Sequence, residues 1–336
     1  MDTDRRLSED ELIARYFAPI AGEGGFGMRD DAAALTPGEG NDLVVTVDAI
    51  VAGVHFLPDD PPAAIARKAL AVNLSDLAAK GARPRGHVLS LALEEGWRED
   101  WLAAFTQGLG HAARAFGCPL LGGDTVRANG AYWLSITAFG EVPHGEMVHR
   151  FTARDGDVLC VSGTIGDAAL GLALRSGVTE PWALHIGIQS RVFLTDRFLH
   201  PQPRIALADI LRRRARAAMD VSDGLAGDLA KMCKASGVSA EVDLEKLPLS
   251  GAARTLSGSH PQLRDRLVTG GDDYEILCSV APDDLDDFLN ECGQVGIAMT
   301  PIGYFRPRDF AQNDCSPIFS DANGRKQYEK GSYSHF

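Results

Sequence analysis

The sequence predicts an α/β (α+β) protein built from two mixed domains. Short runs rich in β-branched and large apolar residues alternate with helical patterns in both halves of the chain. The stretch EVPHGEMVHRFTARDG, residues 141–156, is polar and loop-like, and it divides the chain into domains 1–148 and 149–336. A length of 336 residues lets each half bury a core of its own.

Residues 9–20 (EDELIARYFAPI) predict a short amphipathic helix that ends at Pro19. Strands are expected at 43–47, 88–93 and 133–139. Between them lie two helical patterns. One begins at Pro62, runs to about Lys80 and stops at Gly81; the other spans about Glu99 to Phe116 and is capped by Gly117. The second half restarts with a strand at 158–162, a Gly turn and a helix from Asp167. A helix follows Asp223, strands fall near 241–244 and 275–280, and a further helix covers 282–292. The last 25 residues are turn-rich, and no repeat of 20 to 50 residues is present.

Composition removes several function classes. Lys and Arg total 33 against 46 Asp and Glu, a formal net charge of −13, so the chain lacks the basic surface that nucleic acid needs. No apolar run approaches the roughly 18 residues of a membrane helix, and the N-terminus MDTDRRLSEDE is polar and acidic, which predicts a cytoplasmic protein. Six cysteines lie far apart without a CxxC pair, as expected of reduced, mostly buried thiols.

Gly22, Gly24 and Gly27 satisfy G-x-G-x-x-G, with Asp48 downstream, but a helix pattern precedes them and Arg-Asp-Asp follows them, the wrong context for a dinucleotide site. No Walker loop is present. The distinctive feature is a series of aspartates at strand ends and in Gly-bounded turns. Asp30 and Asp31 open DDAAAL, Asp48 closes VVTVD, Asp76 sits in NLSDLAAKG, and Asp124 follows the two glycines of LLGGDTVR, read as a tight turn. Asp220, Ser222 and Asp223 lie in MDVSDGL, and Asp272 and Asp273 in TGGDDYE. Taken singly, Asp76 and Asp223 also read as helix caps and the Gly-Asp pairs as ordinary turns. Together, carboxylates gathered at one sheet edge repel unless cations neutralise them, and hard oxygen donors without His or Cys select Mg²⁺ completed by phosphate oxygens. Arg127 and Arg150 are placed either to fork a phosphate or to face solvent.

The stretches DDAAAL, TVDAIVAGVHF, KALAVNLSDLAAKGARP, LLGGDTVR, VSGTIGDAALGLAL, AMDVSDGLAGDL, TGGDDYEI and the terminal YSHF resemble, in order and over nearly the whole chain, those of thiamine-monophosphate kinases. The resemblance implies two α/β domains of the aminoimidazole-ribonucleotide synthetase-like type, the first serving ATP and Mg²⁺ binding and dimerisation. It also implies a homodimer whose N-terminal sheets pair. It assigns several Mg²⁺ ions to Asp31, Thr46, Asp48, Asp76, Asp124, Asp220 and Asp223, nucleotide contacts to Gly123, Asp124, Arg150 and Ser222, and thiamine-phosphate contacts to His55, Asp272 and Tyr333. Two departures stand out. Arg29 replaces the glycine of G-D-D and gives up its access to positive φ, and Asp272 replaces the glutamate of G-G-E-D, one methylene shorter.

The reaction so implied is direct in-line transfer of the ATP γ-phosphoryl group to thiamine monophosphate. The acceptor is already an anion, so no catalytic side chain is nominated. Rival readings are other ATP-using members of the superfamily. Selenophosphate synthetase would carry a reactive Cys or selenocysteine near the N-terminus and the hydrogenase maturation protein a C-terminal Cys, whereas here the first Cys is Cys118 and the chain ends in His335-Phe336. A non-enzymatic cation store would use the same aspartates but leaves the GGDT and VSGTIGD stretches without a purpose.

Overall fold

A computed structural model describes residues 7–177, 179–309, 314–322 and 324–328. Their contacts divide the chain into two compact units, Met1–Leu77 with Arg83–Gly145, and Ala78–Ala82 with Glu146–Phe336.

In the first unit, Ser8 opens α1 (Glu9–Leu12) with a reciprocal cap: the Ser8 hydroxyl accepts the Glu11 N–H and the Glu11 carboxylate accepts the Ser8 N–H at 2.8 Å. The helical path continues in a wider π form over Ile13–Phe17 and a 3₁₀ turn over Ala18–Ile20, which contains Pro19. Gly22, Gly24 and Gly27 then fall before and within a 3₁₀ segment, Glu23–Met28, and not at a strand-to-helix turn.

The strands β1 (Asn41–Val51), β2 (Arg83–Leu93), β3 (Leu120–Arg127) and β4 (Trp133–Pro143) form one sheet in the order β1-β4-β2-β3, with only β2 and β3 parallel. Two 18-residue helices, α2 (Pro62–Ala79) and α3 (Glu99–Phe116), complete the unit. Gly117 ends α3 at φ 64°, its N–H returning to the carbonyls of Ala113 and Arg114. Along β1 burial alternates. Val44 and Ile50 are buried, whereas Leu43, Val45 and Val47 are 40%, 54% and 60% exposed.

The structure corrects one expectation here. GGDT is not a turn: Gly122, Gly123 and Asp124 lie inside β3, opposite Val88, Leu89 and Ser90 of β2. The glycines serve close approach, since a Cβ on Gly123 would stand 2.0 Å from the Leu89 carbonyl oxygen.

The second unit carries a seven-stranded mixed sheet. Its strands are β5 (Val158–Ser162), β6 (Ala215–Val221), β7 (Val238–Asp243), β8 (Glu275–Val280), β9 (Met299–Pro307), β10 (Ile318–Asp321) and β11 (Gly324–Lys326), in the order β11-β10-β7-β9-β5-β8-β6. Among the described residues eight α-helices accompany them: α4 (Asp167–Arg175), α5 (Pro181–Leu184), α6 (Ile188–Leu199), α7 (Ala208–Arg214), α8 (Leu225–Ser236), α9 (Gly251–Ser259), α10 (Leu263–Thr269) and α11 (Leu285–Gln294). Alternation along the central strands builds two cores. Leu159, Val161, Met219 and Leu277 join Leu225, Leu229 and Met232 of α8, while Cys160, Ala218, Ile276 and Cys278 join α7 and α11. Burial pushes the Cys160, Cys233 and Cys292 thiols up to about 12, so they stay protonated and inert. The short β10 and β11 lie in the stretch read as turns.

Candidate active site

In the first unit, NLSD of α2 faces β1. Asn73 and Asp76 are one helical turn apart, so both side chains meet the same strand. The Asn73 side-chain oxygen accepts the Asp48 N–H at 3.1 Å, and its amide group donates to the Ala69 carbonyl at 3.0 Å. The Thr46 hydroxyl donates to Asp76 Oδ2 at 2.6 Å. Three expected metal residues, Thr46, Asp48 and Asp76, are therefore brought together, with Asn73 as a supporting contact that the sequence reading passed over.

A cavity of about 390 Å³ lies at the far edge of the same sheet, lined by Asp30, Asp31, Gly123 and Asp124 on its polar side and by Phe17 and Leu121 on its apolar side. The chain reaches it through three successive left-handed residues, Phe26, Gly27 and Met28, at φ 49°, 65° and 58°. Arg29 follows at φ −105°, so the glycine it replaces is not needed for a positive φ at this position, and its Nε donates to the Phe26 carbonyl at 3.2 Å. The Asp31 N–H donates to Asp30 Oδ1 at 2.8 Å. Asp48 and Gly123 share one register row across the sheet, through Ile136 and Leu89, three strand spacings apart. At about 4.8 Å per strand their Cα atoms are roughly 14 Å apart, so Thr46, Asp48 and Asp76 form one group and Asp31, Gly123 and Asp124 another. His55 Nδ1 accepts the Val51 N–H at 3.1 Å, which puts the ring proton on Nε2.

In the second unit, Asp220 is the penultimate residue of β6, and Ser222, Asp223 and Gly224 form the bend before α8. Asp223 is not the cap; that place belongs to Gly224 at φ 124°. The bend is held by Asp228, one turn into α8, whose carboxylate accepts the N–H groups of Asp223 at 2.9 Å and Gly224 at 3.2 Å. Lys231 Nζ bridges Asp223 and Asp228. Burial opposes the Lys231 charge, but the two carboxylates outweigh it and hold its pKa above the ordinary lysine value.

GGDDY packs directly on this bend. The Asp272 N–H donates to the Ser222 carbonyl and the Tyr274 N–H to the Val221 carbonyl, both at 2.8 Å. Asp272 and Tyr274 are left-handed, at φ 70° and 52°. Asp273 between them is buried, and its Oδ2 accepts the Gly166 N–H at 2.8 Å. Burial raises the Asp273 carboxyl well above its usual range, with repulsion from Asp167 and Glu275 adding to it. Glu275 is itself neutralised by Arg197 at 2.9 Å and by Arg204. Thus Asp220, Ser222, Asp223 and Asp272 are neighbours; Asp228 and Asp273 lie within AMDVSDGLAGDL and TGGDDYEI without an assigned role, and Lys231 falls two residues beyond the first of these stretches. Arg150 is exposed, its carbonyl accepting the Ser236 hydroxyl at 3.2 Å, and Tyr333 lies outside the described residues.

Among the described residues no three His, Cys, Asp or Glu side chains converge into a metal cage. The donor set is nonetheless entirely oxygen and occurs in ones and twos, which suits Mg²⁺ that keeps water and binds substrate phosphate. No described helix is long and apolar enough to cross a membrane.

Each of the two mixed α/β units carries acidic, phosphate-compatible residues of its own, and the comparisons with known proteins give the class. The family descriptions AIR synthase related protein, N-terminal domain, and AIR synthase related protein, C-terminal domain, match residues 29–142 and 154–311. The thiamine-monophosphate kinase of Caulobacter vibrioides is 41% identical over 89% of this chain and 84% of its own length. That of Salmonella typhimurium is 42% identical over 88% and 89%. Among solved structures, thiamine-monophosphate kinase from Stenotrophomonas maltophilia superposes with a TM-score of 0.76 at 41% identity, covering 83% of this chain and 87% of the other. AaThiL complexed with AMPPCP and TMP superposes with a TM-score of 0.74 at 29% identity, covering 93% and 97%. The hydrogenase maturation protein HypE in complex with ATP shares the fold at 20% identity, with a TM-score of 0.77 over 97% of this chain and 95% of its own. The chain belongs to the AIR synthase related proteins and, within them, to the thiamine-monophosphate kinases, an enzyme family.

Proposed function

We propose that the protein transfers the γ-phosphoryl group of ATP to thiamine monophosphate, giving thiamine diphosphate and ADP, with several Mg²⁺ ions and in the cytoplasm. The observation that carries this is identity above 40% to thiamine-monophosphate kinases over nearly nine-tenths of the chain. Two phosphate-bearing substrates repel: unit charges 4 Å apart at an effective dielectric near 20 interact by roughly 4 kcal/mol. Bound Mg²⁺ would supply the opposing charge. Asp31 and Asp124 at the cavity, Thr46, Asp48 and Asp76 between β1 and α2, and Asp220 and Asp223 in the second unit are the residues that would hold it. Gly123, Asp124, Arg150 and Ser222 are assigned to the nucleotide, and His55, Asp272 and Tyr333 to thiamine phosphate. An acceptor phosphate whose second pKa is about 6 needs no general base, so binding and orientation are what these side chains contribute.

A homodimer through the first unit's sheet is part of the same reading. Its support is the exposed apolar row Leu43, Val45 and Val47, continued by Trp133 on β4, where a solvated sheet face would alternate to polar residues. The reaction is tested by incubating purified protein with ATP, Mg²⁺ and thiamine monophosphate and separating products by chromatography. Stoichiometric thiamine diphosphate and ADP, abolished by EDTA, are expected. ATP binding without product would reject the acceptor.

A further inference from the structure

One fixed cation already sits on a carboxylate that the reading above gives to Mg²⁺. Lys231 lies on α8, and its ammonium donates to Asp223 and, at 2.8 Å, to Asp228 Oδ1. The two carboxylates are unlike. Asp228 is 1% exposed and locked by the N–H groups of Asp223 and Gly224, whereas Asp223 and Lys231 are 38% and 40% exposed. Asp228 is therefore a permanent anchor for the ammonium, and Asp223 is a partner it is free to exchange.

We propose that Lys231 is the resident counter-ion of Asp223: it competes with the divalent cation for that carboxylate and withdraws onto Asp228 when the metal binds. The proposal rests on Asp223 being a metal ligand. Without a cation, Asp223 would stand beside Asp220 and Asp272 with its charge uncompensated, and like charges so placed repel. Lysine suits the exchange, since its compact ammonium on a four-carbon stem moves between partners, where a guanidinium fork would hold both. Asp228 keeps the displaced ammonium paired, which removes the cost of leaving a half-buried charge without a partner.

The test is a Mn²⁺ titration, followed by electron paramagnetic resonance, of nucleotide-free wild type, Lys231→Met and Asp223→Asn. Reductive methylation of Lys231 in the wild type, with EDTA or with excess Mg²⁺, is followed by peptide mass spectrometry. Asp223→Asn should weaken one class of Mn²⁺ site. Lys231→Met should tighten that class roughly two- to fivefold, the strength of a half-exposed ion pair. Mg²⁺ should speed methylation of the wild-type Lys231, a readout that does not depend on how the variants fold. Weakened binding in Asp223→Asn, with no tightening in Lys231→Met and no change in methylation, keeps Asp223 as a ligand and overturns the competition. Wild-type binding in Asp223→Asn removes the ligand assignment and this proposal with it.

Discussion

Gly123→Ala tests the closest backbone approach in the candidate site. A Cβ there would stand 2.0 Å from the Leu89 carbonyl oxygen and 3.0 Å from its carbonyl carbon, with no flexible side chain to yield. Relief requires β3 to move off β2 by more than about 1 Å at the point where the parallel ladder pairs Leu89 with Gly123, and overpacking of this kind costs about 1–3 kcal/mol. Spread over a unit of about 140 residues, that is a fall in melting temperature of about 3–10 °C. Gly122 is the internal control, since its added Cβ would meet only the Val88 side chain, at 3.9 Å. Calorimetry, with the fluorescence of Trp97, Trp101 and Trp133 reporting on the first unit, should therefore show Gly123→Ala destabilised and Gly122→Ala close to wild type. Equal melting of the two variants would refute the reasoning, because the pair differ only in what the new methyl meets.

Asp48→Asn and Asp124→Asn should each cut turnover by orders of magnitude with unchanged circular dichroism, and a wild-type rate in either would remove that residue from the ligand set. Asp273 carries a pH prediction. Its folded pKa is raised, so its contribution to stability is complete below the unfolded value near 3.8 and is lost as pH climbs through the folded value. Asp273→Asn keeps an acceptor for the Gly166 N–H and removes the ionisation. Urea unfolding from pH 4 to 8 should show the wild type losing ground to the variant, and parallel curves would show that Asp273 ionises freely. Val47→Lys places a charge on the exposed β1 face and should give monomer in sedimentation at micromolar concentration; a persistent dimer would move the interface elsewhere.

The elements legible in the sequence are those whose pattern is local. α3 was bounded by its own Gly117, and β5 and β8 by β-branched runs between turns. GGDT was misread because two adjacent glycines signal a turn as readily as a crowded strand, and only the neighbour, Leu89, distinguishes them. The same limit hid Asp228 and Lys231. An aspartate and a lysine three residues apart on a helix read as a solvated surface pair, yet Asp228 faces inward to the bend that precedes its own helix. Strands β9 to β11 were missed for another reason. β9 and β10 pair with β5 and β7, more than 60 positions away in the chain, and β11 pairs only with β10, so their form is set by the sheet they join.

The local rules fail most clearly at GGDDY, where Asp272 and Tyr274 adopt positive φ although neither is glycine. Each such residue costs on the order of 1–3 kcal/mol, and it persists only where its surroundings fix it. Here both N–H groups end on the carbonyls of Val221 and Ser222, and Asp273 between them is tied to Gly166. Gly271 completes the fit, because a Cβ on it would stand 2.3 Å from the Ser222 carbonyl oxygen. The strain therefore brings Asp272 against the Asp220–Asp223 bend, at a density of carboxylates that the fold alone does not require. Substitution of Asp272 or Tyr274 by Gly should relax the backbone and raise stability while lowering affinity for thiamine monophosphate, separating the two effects. If stability and affinity instead fall together, the left-handed pair belongs to the packing of the second unit and not to substrate binding.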